Sequence, residues 1–251
     1  MEITIDKLSS YDFIARVFDQ VEPKTLRKLG AYLEKKSARF KLYFDISQIN
    51  QLDREKLLYV LGSVFSVHRK AKKWTDEQIS GFIANTNMLL YDDKPLPEKF
   101  NTFCDFAAKT LLVKKPFELA SEILHFTDPL KYHLWGKWMW DPKEKTGGIP
   151  LMVNEEFHLE DMTFGDQYVI IGSVIQQVDH IAHEIGIREP GNPKTSDFEV
   201  DIFICAIFAV YMYTVTRMRM TKEFNTILPS MIELTERLLG VYYIKGEEKQ
   251  T

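Results

Sequence analysis

A chain of 251 residues with 45% hydrophobic and 13% aromatic residues can bury a sizeable core, which excludes a disordered chain, and 27% charged residues cover an ordinary water-facing surface. A net charge of −4 argues against a nucleic-acid module that is basic throughout, and two distant cysteines, Cys104 and Cys205, form neither a disulfide framework nor a zinc knuckle. No basic region followed by a long apolar run opens the chain, so no secretory signal is expected and the cytoplasm is the expected compartment.

In chain order, apolar residues recur at helical spacing between 11 and 74, and three helices are expected there, over about 11–21, 24–44 and 53–71. Pro23 suits the start of the second. Asp53 is an N-cap for the third, whose stripe is Leu57, Leu61, Val64, Phe65 and His68. Thr75 to Gln78 reads as a capping box and predicts a helix over 76–91, closed by the proline-rich loop 92–97. Helices are expected near 98–113, 116–126 and 129–139, with Pro116 and Pro129 at starting positions. The segment 141–162 is the least helical, with Gly147-Gly148 as a turn and 149–153 as a short strand.

Ile171, Val174, Ile175, Val178, Ala182 and Ile185 form a stripe predicting a helix over about 165–186. Ile202 to Thr216 carries no charge, but its 15 residues fall short of the roughly 20 that span a bilayer. Glu199 and Asp201 before it and Arg217 and Arg219 after it suit the poles of a core helix over about 197–218, so no membrane contact is expected. A last helix near 221–240 is divided at Pro229 and stopped by Gly240, and the charged tail from Gly246 is expected to fray. The fold class is therefore mainly α: a single-domain helical assembly of about eight to ten helices with one long loop and at most a short strand.

Charge is unevenly placed. Residues 1–74 hold 15 Lys and Arg against 9 Asp and Glu, and the remainder 17 against 27. Within the single domain this marks 1–74 as a candidate basic subdomain beside a main core over 75–245.

Three constellations could carry function. Three of the four tryptophans lie between 135 and 140, and Tyr132, Trp135, Trp138 and Trp140 make an aromatic-rich candidate interaction surface. With no phosphate loop, dinucleotide fingerprint or nucleophile elbow in the sequence, they favour a non-enzymatic helical interaction or accessory protein. Its partner would be another protein or a second copy in a homodimer. The alternative is a metal-dependent oxidoreductase or hydrolase. Glu155, His158, His180, His183 and Glu184 are ligand types that iron, manganese and zinc favour, and Glu155-x-x-His158 has the spacing of carboxylate-bridged bundles. A helical wheel sets His180 and His183 opposite the apolar stripe, so they need a covering element to converge. The third reading is nucleic-acid binding through Lys35, Lys36, Arg39, Arg69, Lys70, Lys72 and Lys73, with Phe40 or Trp74 stacking on a base.

Within residues 124–141, the order His125-Phe126-x-Asp128-Pro129-x-x-Tyr132-x-x-Trp135 resembles a segment of the helix-hairpin-helix DNA glycosylase superfamily, where it joins two helices and precedes the catalytic aspartate. Gly136 stands where that family often has its aspartate, and no glycine-rich hairpin is present. The resemblance therefore implies a shared way of packing helices and transfers no catalytic or DNA-binding residue.

Overall fold

The computed structural model describes residues 6, 12–13, 15–17, 19, 22–153, 158–184, 197–219 and 230–248. The fold is mainly α, and among these residues there is no β-strand. The named helices are α1 (Pro23–Tyr43), α2 (Arg54–Leu61), α3 (Asp76–Tyr91), α4 (Leu96–Lys109), α5 (Pro116–Thr127), α6 (Phe164–Glu184), α7 (Glu199–Arg219), α8 (Met231–Leu238) and α9 (Val241–Glu248). Positions 12–13, 15–17 and 19 are also helical, within the first expected helix.

The chain divides into two compact units. The first comprises Met1–Leu33, Lys137–His158 and Val174–Thr251, the second Glu34–Gly136 and Leu159–Ser173.

In the second unit the capping box forms as its sequence dictates: the Thr75 hydroxyl accepts from the Gln78 amide at 3.2 Å, and the Gln78 side chain accepts from the Thr75 amide at 3.0 Å. Asp53 caps α2 by accepting from the Lys56 amide at 2.8 Å. Phe40 on α1, Phe44 just after it, Phe82 on α3 and Phe100 and Phe103 on α4 are fully buried, each such side chain stabilising the fold by about 1.5–3 kcal/mol.

Three expectations change here. Helix α2 ends at Leu61 rather than near 71, because the Ser63 hydroxyl donates to the Val60 carbonyl at 2.8 Å and the chain continues in turns to a short 3₁₀ helix at Ala71–Lys73. Turns closed three residues apart bury Val64 and Val67 as a helix would, so the apolar spacing did not separate the two. The helix expected near 129–139 is absent. After two bonds to the Asp128 carbonyl the backbone turns outward to side chains instead. His125 Nδ1 donates to Tyr132 O at 2.8 Å, Tyr168 OH to His133 O at 2.9 Å and Ser121 Oγ to Trp135 O at 2.8 Å, while Trp135 N donates back to Ser121 Oγ at 3.1 Å. Finally, α4 stops at Lys109 rather than 113.

In the first unit, 149–153 is not a strand; Ile149–Leu151 is a 3₁₀ helix behind a tight loop. The Asp141 and Thr146 backbones exchange two hydrogen bonds, and Gly148 N and Ile149 N donate to Trp138 O and Met139 O. Gly147 closes the loop at φ 137°, where a Cβ would clash at 2.4 Å from Met139 O. Gly147→Ala is expected to lower stability by about 2 kcal/mol, read as a shift in the urea midpoint.

The uncharged run forms the core of α7, with Ile204, Cys205, Ala206 and Ile207 fully buried, and α8 packs against it. No helix among the described residues is long and apolar enough to cross a membrane. Helix α9 carries regular structure through Gly246 to Glu248, into the segment expected to fray, and Gly240 at φ 74° separates it from α8. The expected division at Pro229 lies outside the described residues.

Candidate functional site

The aromatic cluster is core rather than surface. Tyr132, Trp135, Trp138 and Trp140 are 8%, 0%, 9% and 3% exposed. The division of the chain falls after Gly136, so Tyr132 and Trp135 belong to the second unit and Trp138 and Trp140 to the first. In the second unit the His133 ring stacks on Tyr168 at 4.0 Å, Tyr168 on Phe100 at 4.4 Å, and Trp135 lies 4.3 Å from Phe117. Gly172, one turn beyond Tyr168, makes room for the imidazole: a Cβ there would come within 2.1 Å of His133 Cε1. Burial, first, and the charge of His125 push the His133 pKa down to about 3, against a partial rise from its backbone hydrogen bond with Tyr168. This imidazole is a neutral packing element at physiological pH.

Among the proposed metal ligands, His158 is exposed, and His180 Nε2 lies 3.5 Å from Glu184 Oε1, one turn along the exposed face of α6. Glu155 and the His183 side chain lie outside the described residues. Among the described residues no group of three or more His, Cys, Asp or Glu is arranged to hold a metal ion. Cys104 and Cys205 are buried free thiols with pKa values pushed well up by burial, the signature of inert packing residues.

The basic residues separate into two groups. Lys36 is buried, 1% exposed, with Nζ 2.6 Å from Glu122 Oε2 and 4.0 Å from the centre of the Phe126 ring. It is a core ion pair and is unavailable to phosphate. Arg39 lies 3.8 Å over the Tyr59 ring of α2 and donates to Tyr59 O at 3.2 Å, while Lys35 is exposed on α1. Phe40 and Trp74, expected to stack on a base, are 0% and 5% exposed and cannot.

Arg69, Lys70, Lys72 and Lys73 are all exposed. Their segment adjoins a second one. Lys70 Nζ donates to Leu112 O at 3.0 Å, which fastens the loop after α4 to the turns after α2, while Gln78 Nε2 of α3, which follows exposed Asp76 and Glu77, donates to Thr110 O at 2.7 Å. Residues 57–75 and 106–117 contain no Asp or Glu, and the loop adds exposed Lys114. Three large side chains stand out of these segments: Tyr59, 47% exposed and covered on one face by Arg39; Phe65, 52% exposed; and Leu112, 70% exposed at φ 53°. The missing acids in 106–117 were visible in the sequence, but nothing there showed that this stretch lies against 69–73.

The same unit carries charge of the opposite sign elsewhere. A cleft of about 660 Å³ runs along α4 and the start of α6, lined by Glu98, Asp105 and Glu160 among others. Asn101 fastens it, donating to Thr163 Oγ1 at 3.0 Å and accepting from Gly165 N at 2.8 Å. Asp105 is paired with Lys109 at 2.7 Å.

No protein-family model matches this sequence, and no curated protein or solved structure matches it.

Proposed function

We propose that this chain is a non-enzymatic helical interaction protein whose working surface is the basic face formed by residues 69–73 and 110–114, and that this face docks a polyanion. The observation that carries the reading is the fastening of two acid-free segments side by side by the Lys70 bond to Leu112 O. The second unit holds 16 Lys and Arg against 16 Asp and Glu, so this face is a local concentration of charge and not a share of an overall surplus. Locality suffices, because at physiological salt charges act over only about 8 Å. The buried tryptophans and tyrosine supply no contact surface of their own.

The full chain is expected to bind immobilised heparin at about 50 mM salt and to be released steeply as salt rises, as counterion release requires. Lys72→Glu with Lys73→Glu, both side chains exposed, should abolish retention without moving the melting temperature. Wild-type protein that flows through at low salt, or a charge-reversed variant still retained like wild type, would overturn the reading.

A further inference from the structure

We infer that the polyanion is a single-stranded nucleic acid and that Phe65 is the platform on which one of its bases stacks; this rests on the reading of the basic face given above. Phe65 occupies an apolar stripe position, where helical spacing would bury it, yet it is 52% exposed. Its exposure is built into the turn. Val64 and Val67 on either side are 0% and 1% exposed, and His68 Nδ1 donates to Phe65 O at 3.0 Å. The His68 ring stands beside the phenyl, centroids 6.1 Å apart and planes 33° apart, and the exposed cations begin at Arg69. A fixed aromatic face next to a run of cations is the combination that holds a single strand, the ring taking a base and the cations taking phosphates.

Other polyanions use less of what is present. A duplex keeps its base faces stacked inside, and the turns and 3₁₀ helix at 62–73 supply no α-helix to lay in a major groove. An acidic peptide would engage the lysines and leave the ring without a role. A membrane surface is gripped by an amphipathic helix with a continuous apolar face, whereas Phe65 and Leu112 stand on separate turns.

The test is fluorescence anisotropy of the full chain with a labelled oligothymidylate about 16 nucleotides long, beside labelled heparin and phosphatidylserine vesicles. Phe65→Leu keeps an apolar side chain of similar reach and removes the π face. It is expected to weaken oligothymidylate binding roughly 5- to 100-fold and to leave heparin binding within about twofold. Lys72→Glu with Lys73→Glu should weaken both. Equal oligothymidylate binding by Phe65→Leu and wild type would overturn the inference, as would vesicle binding tighter than oligonucleotide binding. Heparin binding without oligothymidylate binding would overturn it while leaving the polyanion-binding reading intact, and binding to neither would remove both.

Discussion

Glu122→Ala is expected to lower the unfolding free energy by about 3–5 kcal/mol, while Lys36→Met is expected to cost about 1 kcal/mol or less. The difference comes from which charge is left behind. Lys36 Nζ sits 2.6 Å from Glu122 Oε2 and 4.0 Å above the Phe126 ring, with side-chain exposures of 1% for Lys36 and 14% for Glu122. Removing the carboxylate takes away the group 2.6 Å from an ammonium that is only 1% exposed, and the ring face offsets a small part of that loss. Removing the ammonium instead leaves a carboxylate at the edge of the core, where a small rotation restores hydration, and methionine keeps the packing over Phe126. Urea unfolding of the two single variants and of Lys36→Met with Glu122→Leu would measure it. The double variant should recover most of the loss, since an apolar pair of similar volume replaces an ion pair at little cost. A Glu122→Ala variant within about 1 kcal/mol of wild type would show that Lys36 finds other solvation, and the pair would then be a weak one.

Local signals were read from the sequence with accuracy where the chemistry is local. The capping box at Thr75 and Gln78, the Asp53 cap, and Pro23 and Pro116 place the starts of those four helices within a residue of expectation, because a cap and its amides lie within one turn of each other. Errors fall where distant groups decide. The sequence around Pro129 predicts a helix over 129–139, but backbone groups at 132–135 bond to His125 and Ser121 of α5 and Tyr168 of α6, which no window around Pro129 contains. Lys36 stands in the sequence as part of a basic patch for the same reason, since Glu122, with which it pairs, is 86 residues away. The tryptophans were visible as a cluster, yet clustering along the chain does not separate core from surface. Phe65 shows the converse, an apolar residue at a buried-stripe position that the turns after Leu61 direct outward. The basic face was half legible: the run Arg69 to Lys73 stood out, and its junction with 110–114 required the fold.

Acid should destabilise this protein through His133 in a window set by its own two pKa values. In the unfolded chain the imidazole titrates near 6.5, whereas in the folded chain burial holds it down to about 3. Above pH 6.5 it is neutral in both states and contributes no pH dependence. As pH falls below 6.5 the unfolded chain takes up a proton that the folded chain refuses, so stability drops with acidity by about 1.4 kcal/mol per pH unit until the folded-state pKa is reached. The total approaches about 4–5 kcal/mol at pH 3. The refusal has a structural cause: the ring is held between Tyr168 at 4.0 Å and the bare backbone of Gly172, and its Nε2 is buried without a hydrogen-bond partner. The groups facing it cannot compensate, since His125 repels the proton and the Tyr168 backbone carbonyl is one acceptor. Urea unfolding of wild type and His133→Gln between pH 7 and pH 4 isolates the effect, because the carboxylates titrate alike in both. The wild-type curve should fall more steeply by close to one proton's worth over that interval, and the two proteins should converge in stability as the pH is lowered. Parallel curves would mean that His133 takes up its proton in the folded state, which requires the Tyr168–Gly172 face of α6 to move away from the ring.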